Sequence, residues 1–425
     1  MHKVYSSNLS AGIALTCVVT DKFKTGCISL NLITGLNRDT AAATALLPRV
    51  LRRGSEALPD MGRIASALDD LYGARVEPIV RKKGEMQCIG FYADFADDRF
   101  IPGGGDVLEK LSALAGGILL TPDMSVGLLR DDYVKSEQNN LIDDIRAAIN
   151  DKRGYSIDRL LEEMCPDEAF GVNKLGREEE AQAVTAQSLT SRYRDITKNS
   201  IIKVFYCGAD EPARVESALR EALGGLPEQN ASSIPETNVI LYPAHGSPRR
   251  FSESLDVTQG KLTVGFRLGK AMEAPNYPAL MVLNAVYGGS ITSKLFLNVR
   301  EKLSLCYYAS SAIDKHKGVM IVASGVEFSN FDTALNEILT QLDHVKKGAV
   351  SDWELQSAKR SVITAINSAM DSPGGLEELY FDSALSAVRY DPGTLCDTVE
   401  AVTLDDVVEA ASEIATDAVY TMHNS

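Results

Sequence analysis

Histidine is scarce in this 425-residue chain: His2, His245, His316, His344 and His423 are all there are. No two of them fall within five residues of each other, so neither HExxH nor HxxEH occurs. A catalytic zinc site takes two or three imidazoles on rigid elements, and these five read as solvated or capping side chains. The seven cysteines (Cys17, Cys27, Cys88, Cys165, Cys207, Cys306 and Cys396) form no CxxC pair. That excludes a thiolate zinc site of the usual spacing, and an odd, scattered set fits a reducing cytoplasm. They read as small buried thiols. No stretch reaches the ~20 apolar residues of a membrane helix. The apolar patch Gly12–Val19 reads as a strand rather than a signal peptide, because it has little basic flank and runs into the charged Asp21–Lys24. Gly103–Gly105 lacks the Gly-Lys-Ser/Thr of a phosphate loop. No GxSxG occurs, although a triad assembled from distant residues stays open. Basic charge is also short: 43 Lys and Arg against 58 Asp and Glu give a net charge of −15. That balance argues against nucleic acid and anionic membranes as partners.

What is present is an internal echo. Ala183–Ile196 and Ala401–Ile414 both open Ala-Val-Thr before a helical pattern, with Thr185 and Thr403 where an N-cap belongs. Each leads into a β-like run, Ile201–Cys207 and Ala418–Met422. Upstream, β-like runs Gly26–Leu32 and Lys261–Phe266 precede helices Thr40–Arg53 and Tyr277–Val286. Long amphipathic segments follow (Val126–Ile149 and Ser351–Met370), then shorter ones (Tyr155–Met164 and Gly375–Ala387). Matches in register at half the chain length argue for duplication. The segment 225–250 is rich in Gly, Pro, Ser and Asn and reads as a linker. The expectation is an α+β fold of two homologous halves, 1–224 and 251–425, each a mainly antiparallel sheet packed with helices.

The sharpest local signal is Tyr287–Tyr308, YGGSITSKLFLNVREKLSLCYY. Gly288 and Gly289 form a turn that lets another backbone approach. Arg300 is a permanent planar cation. The Tyr307 hydroxyl can donate to a carbonyl gaining negative charge. The plainer reading is an ordinary helix end, with Arg300 compensating its carbonyls and Tyr307 packing.

Gly288, Gly289, Ser290, Ser293, Lys294, Leu295, Phe296, Val299, Arg300, Glu301, Lys302, Leu305 and Tyr307 together resemble the C-terminal-half signature of the insulinase/pitrilysin family of HxxEH zinc peptidases, and of mitochondrial-processing-peptidase-like members in particular. The resemblance extends over nearly the whole chain and implies two homologous α+β halves. In the family the zinc motif lies on the first helix, shortly before Gly-Thr or Gly-Ser. With Gly54–Ser55 in register it falls on Ala45, Pro48 and Arg49 here, so both zinc histidines and the glutamate base are lost. Ala has no donor atom, Arg is not deprotonated and Pro cannot act as a base. The family's distal carboxylates fall near Glu137 and Asp144. By contrast, the resemblance carries over the Arg/Tyr pair as Arg300 and Tyr307, which in the family help hold substrate and polarise the scissile carbonyl. It implies Gly288, Gly289 and Ser290 beside the substrate backbone.

The resulting expectation is a non-catalytic cytoplasmic subunit with no metal or cofactor of its own. An HxxEH-bearing paralogous partner would carry zinc, and the substrate would be an unfolded peptide. The alternatives are a structural scaffold subunit, or a peptide-binding module that captures without cutting.

Overall fold

The computed structural model describes residues 2–231, 233–243 and 246–424. Met1, Ser232, Ala244, His245 and Ser425 lie outside the described residues, and with them the reading of His245 as a linker side chain. The strands of the first sheet are β1 (Lys3–Ser10), β2 (Ile13–Val19), β3 (Thr25–Gly35), β4 (Arg75–Lys83) and β5 (Met86–Ala96). A short hairpin, β6 (Met124–Ser125) and β7 (Leu128–Leu129), stands apart from that sheet, which is completed by β8 (Ile201–Gly208). The second sheet comprises β9 (Arg249–Ser254), β10 (Gly260–Arg267), β11 (Cys306–Asp314), β12 (Val319–Val326) and β13 (Ala415–His423).

The two sheets repeat one topology. The first runs β1-β2-β8-β3-β5-β4, and the second, taken from its β9 edge, runs β9-β13-β10-β12-β11. Each has one parallel pair at the equivalent place, β2 with β8 and β9 with β13, followed by antiparallel pairs. Among the described residues the one addition is β1, hairpinned to β2 through Gly12 at φ 77°. The fold is therefore α+β with two duplicated, mainly antiparallel halves. The two expected caps form: Thr185 Oγ accepts from the Ser188 amide at 3.1 Å, and Thr403 Oγ accepts from the Asp406 amide at 3.2 Å.

The compact units are not the linear segments 1–224 and 251–425. One unit is 1–146, 172–236 and 369–385; the other is 147–171, 237–368 and 386–425. Each half lends a helix to the other unit. The central strands β3 and β10 are buried along almost their whole length, so both faces of each sheet need a cover. In the first unit one face packs Leu46, Leu47, Val50 and their neighbours, while Leu376 and Tyr380 of the Pro373–Ala384 helix pack with Val18, Cys27 and Phe205. In the second, Leu160 and Met164 of the Lys152–Met164 helix pack with Ala418 and Tyr420. Buried ions fasten both lent segments. Glu377 accepts from Ser29 Oγ at 2.7 Å and from Arg81 at 2.8 Å. Arg267 pairs with Glu168 and, at 2.7 Å, with Asp417, and Lys317 pairs with Glu168 at 2.6 Å. Linear periodicity carries no sign of this exchange, because a helix reads the same whichever sheet it covers. The expected linker 225–250 is partly built into a unit: Gln229 is buried and donates to Thr197 O at 2.9 Å.

Candidate functional site

The first helix of the chain, Arg38–Leu51, begins at Asn37, whose side chain accepts from the Asp39 amide at 2.9 Å. It carries Ala45, Pro48 and Arg49. Ala45 is fully buried in the core, and Pro48 is buried inside the helix, where it removes a backbone donor. Arg49 extends to the long helix Asp131–Ala147, where its Nη1 lies 2.7 Å from Asp144 Oδ2. Arg53, one helical turn on, lies 3.0 Å from Glu137 Oε1. Glu137 is buried, and its other oxygen accepts from Asn140 at 3.1 Å. Glu137 and Asp144, expected near the family's distal carboxylates, thus face guanidinium groups. Zinc does not fit these residues: one position is apolar and enclosed, one is Pro, one is a cation. Among the described residues no group of three or more His, Cys, Asp or Glu could hold a metal ion.

A cavity of about 520 Å³ opens beside this helix, lined among others by Arg49, Arg52, Arg53, Glu77, Glu137 and Lys174. Arg52 Nε donates to Val76 O at 2.6 Å. Burial pulls its guanidinium below the usual value, with Glu77 opposing at longer range. Sequence reading passed over Arg52 and Arg53. Their signal was the spacing 49, 52, 53, which puts three guanidiniums on one helical face.

The second candidate set lies in the other unit. The helix Tyr277–Asn284 continues as a wider π-turn through Ala285–Gly289, and a second π-segment spans Leu295–Lys302. Gly288 is buried, and a Cβ there would stand 2.7 Å from the Ser311 amide nitrogen and 2.6 Å from Ser311 Oγ. The backbone that approaches this glycine is thus the chain's own β11. Gly289 is exposed, and a Cβ there would meet Asn284 Nδ2 at 2.5 Å. Ser290 Oγ donates to Ala285 O at 2.9 Å, closing the π-turn.

Arg300 is half-buried, stacks over Phe296 with 4.7 Å to the ring centroid, and lies 3.6 Å from Glu301. Tyr307 occupies the bulge of β11: Cys306 pairs with Val326 and Tyr308 with Gly325, which leaves Tyr307 without a strand partner. Its side chain is 61% exposed, and its hydroxyl donates to Glu327 at 2.7 Å. That hydrogen bond, reinforced by the carboxylate charge, raises the phenol above its usual value and keeps it a neutral donor.

Comparison with known proteins places this architecture. The description "Peptidase M16 inactive domain" matches residues 183–362. A Bacillus subtilis (strain 168) protein named "Probable inactive metalloprotease YmfF" is 31% identical over 409 residues, covering 96% of this chain and 95% of that one. The chain belongs to the M16 (insulinase/pitrilysin-type) peptidase family. A conserved protein from Enterococcus faecalis V583 superposes on this M16 chain with a TM-score of 0.89 at 25% identity over 99% of both chains. An M16 inactive domain from Pseudomonas fluorescens gives 0.78 at 15% identity, over 100% of this chain and 98% of that one, a likeness of fold alone. This M16 chain is a metallopeptidase homologue without the family's zinc ligands and base. Among the described residues no helix is long and apolar enough to cross a membrane.

Proposed function

We propose that this chain is the non-catalytic subunit of a cytoplasmic zinc peptidase heterodimer, lending Arg300 and Tyr307 to an HxxEH-bearing paralogous partner that cleaves peptides. The observation that carries the reading is the contrast between the two sets. Ala45, Pro48 and Arg49 are absorbed into core and ion pair, whereas Tyr307 stands exposed on a β-bulge with its hydroxyl held as a donor. The Tyr307 ring is largely exposed rather than packed into the core. Bulges recur where a strand must re-aim a side chain at a site.

In this reading zinc belongs to the partner. This chain contributes the Tyr307 O–H toward a carbonyl that becomes negative in the transition state, and the Arg300 cation toward the peptide. Gly288, Gly289 and Ser290 shape the turn from which the Arg300 segment departs. The test is peptide hydrolysis by the co-purified complex. Arg300→Ala and Tyr307→Phe should each lower kcat/KM by about 10–1000-fold, the range for removing one transition-state donor, with complex formation unchanged. Full activity in both variants overturns the trans role.

A second reading, peptide capture without cleavage, is favoured by the charged cavity of the first unit. It predicts peptide binding by the isolated chain.

A further inference from the structure

The cavity beside the Arg38–Leu51 helix is donor-rich and short of acceptors. Arg49 is matched by Asp144 and Arg53 by Glu137. Arg52 is different. Its one hydrogen bond goes to the neutral carbonyl of Val76, and no carboxylate lies within ion-pair distance of it among the described residues. Its Nη1, and Nε of Arg53, are buried without an acceptor among the described residues. A partly buried cation without a counter-ion is unfavourable, and so is each buried donor left unpaired. Lys174, exposed on the same lining, adds positive charge, and Glu77 acts on Arg52 only from beyond contact. In a chain of net charge −15 this is a local positive site.

We propose that the cavity is a monocarboxylate-binding site anchored by Arg52, occupying the region that the zinc motif vacated. Guanidinium groups match a planar carboxylate through paired N–H donors. With Asp144 and Glu137 neutralising their partners, Arg52 and Lys174 against Glu77 leave a net charge of about one positive unit. That suits a singly charged carboxylate better than a phosphate dianion. Two sources share this chemistry: a small carboxylic acid, or the C-terminal carboxylate of a peptide.

The experiment is calorimetric titration of the purified full chain with four probes: butyrate, tetra-alanine with a free C-terminus, tetra-alanine amide, and inorganic phosphate. Saturable binding of butyrate and of the free-acid peptide supports a general carboxylate site. Binding of the free-acid peptide alone supports a peptide C-terminus. In either case Arg52→Gln should weaken binding by at least about 10-fold, the worth of one charge-assisted hydrogen bond. Arg52→Lys should retain part of it, and Arg360→Gln, at an exposed site in the other unit, all of it. Circular dichroism of Arg52→Lys guards against a folding artefact, since Arg52 also holds Val76 O. Equal binding of acid and amide, tighter binding of phosphate than of either carboxylate, or no saturable binding at millimolar concentration each overturns the proposal. The titration uses the isolated chain, so its outcome is independent of any peptidase partner.

Discussion

Arg49 Nη1 lies 2.7 Å from Asp144 Oδ2. The contact joins the Arg38–Leu51 helix to the Asp131–Ala147 helix through a cation and an acid. Because Asp144 is more than half exposed, the pair is weak on its own. Arg49→Ala and Asp144→Asn should each cost about 0.5–1 kcal/mol in urea unfolding, and a double-mutant cycle should give a coupling below about 1 kcal/mol. Two fully additive substitutions would mean that the contact contributes nothing.

The lent helix Pro373–Ala384 should be held chiefly by Glu377, which is almost fully buried between Ser29 and Arg81. Glu377→Gln keeps the shape but strips Arg81 of its close counter-ion, leaving only Glu378 at 3.7 Å. We expect a loss of about 3 kcal/mol, the low end for breaking a buried pair, since Arg81 retains some solvent. Hydrogen exchange should show faster opening of residues 373–384. Unchanged stability and exchange would remove Glu377 from its anchoring role.

Much of this could be read in the chain itself. The duplication, the strand and helix order, and both Thr caps were visible because period, capping chemistry and Ala-Val-Thr are local. The absence of HxxEH was legible because no two histidines lie within five residues of each other. The helix exchange was not legible: Leu160 and Leu376 are apolar at helical spacing in either arrangement, and only three-dimensional packing assigns them a sheet. Nor was the role of Arg52, whose meaning depends on a carbonyl, that of Val76, twenty-four residues away. The bulge at Tyr307 likewise comes from strand register, which sequence sets only through its partners.

Gly288 offers a test of the π-turn. Its missing Cβ makes room for the backbone of Ser311, which cannot swing aside as a flexible side chain would. Gly288→Ala should cost about 1–3 kcal/mol by overpacking, visible as a lower Tm. A substitution tolerated without loss would show that β11 shifts easily at this point.

Tyr307→Phe should leave stability within about 0.5 kcal/mol of the parent, because the ring is exposed and the hydroxyl bonds only to Glu327 across the surface. Chemical unfolding of the isolated chain checks this. A loss of several kcal/mol would recast Tyr307 as a structural residue and take away the ground for its role in trans.

Acid should loosen the second unit through Glu168. Burial alone pushes its carboxyl up, but hydrogen bonds and charge from Arg267 and Lys317 outweigh that and hold it below its usual value. A depressed carboxyl contributes stability that is present above its unfolded value, about 4.3, and is lost as pH falls through the folded value. Glu253, lowered by Tyr420, Tyr155 and Arg159 against its own desolvation, acts in the same direction. Urea midpoints should therefore hold steady near neutrality and fall steeply below about pH 4.5. Glu168→Gln should be less stable at pH 7, since the buried Arg267 and Lys317 would each lose the Glu168 charge, Arg267 keeping Asp417. It should also have a shallower acid limb, because one titrating group has been removed. If the parent and Glu168→Gln lose stability in parallel as the pH drops, the acid sensitivity arises elsewhere and Glu168 is not its source.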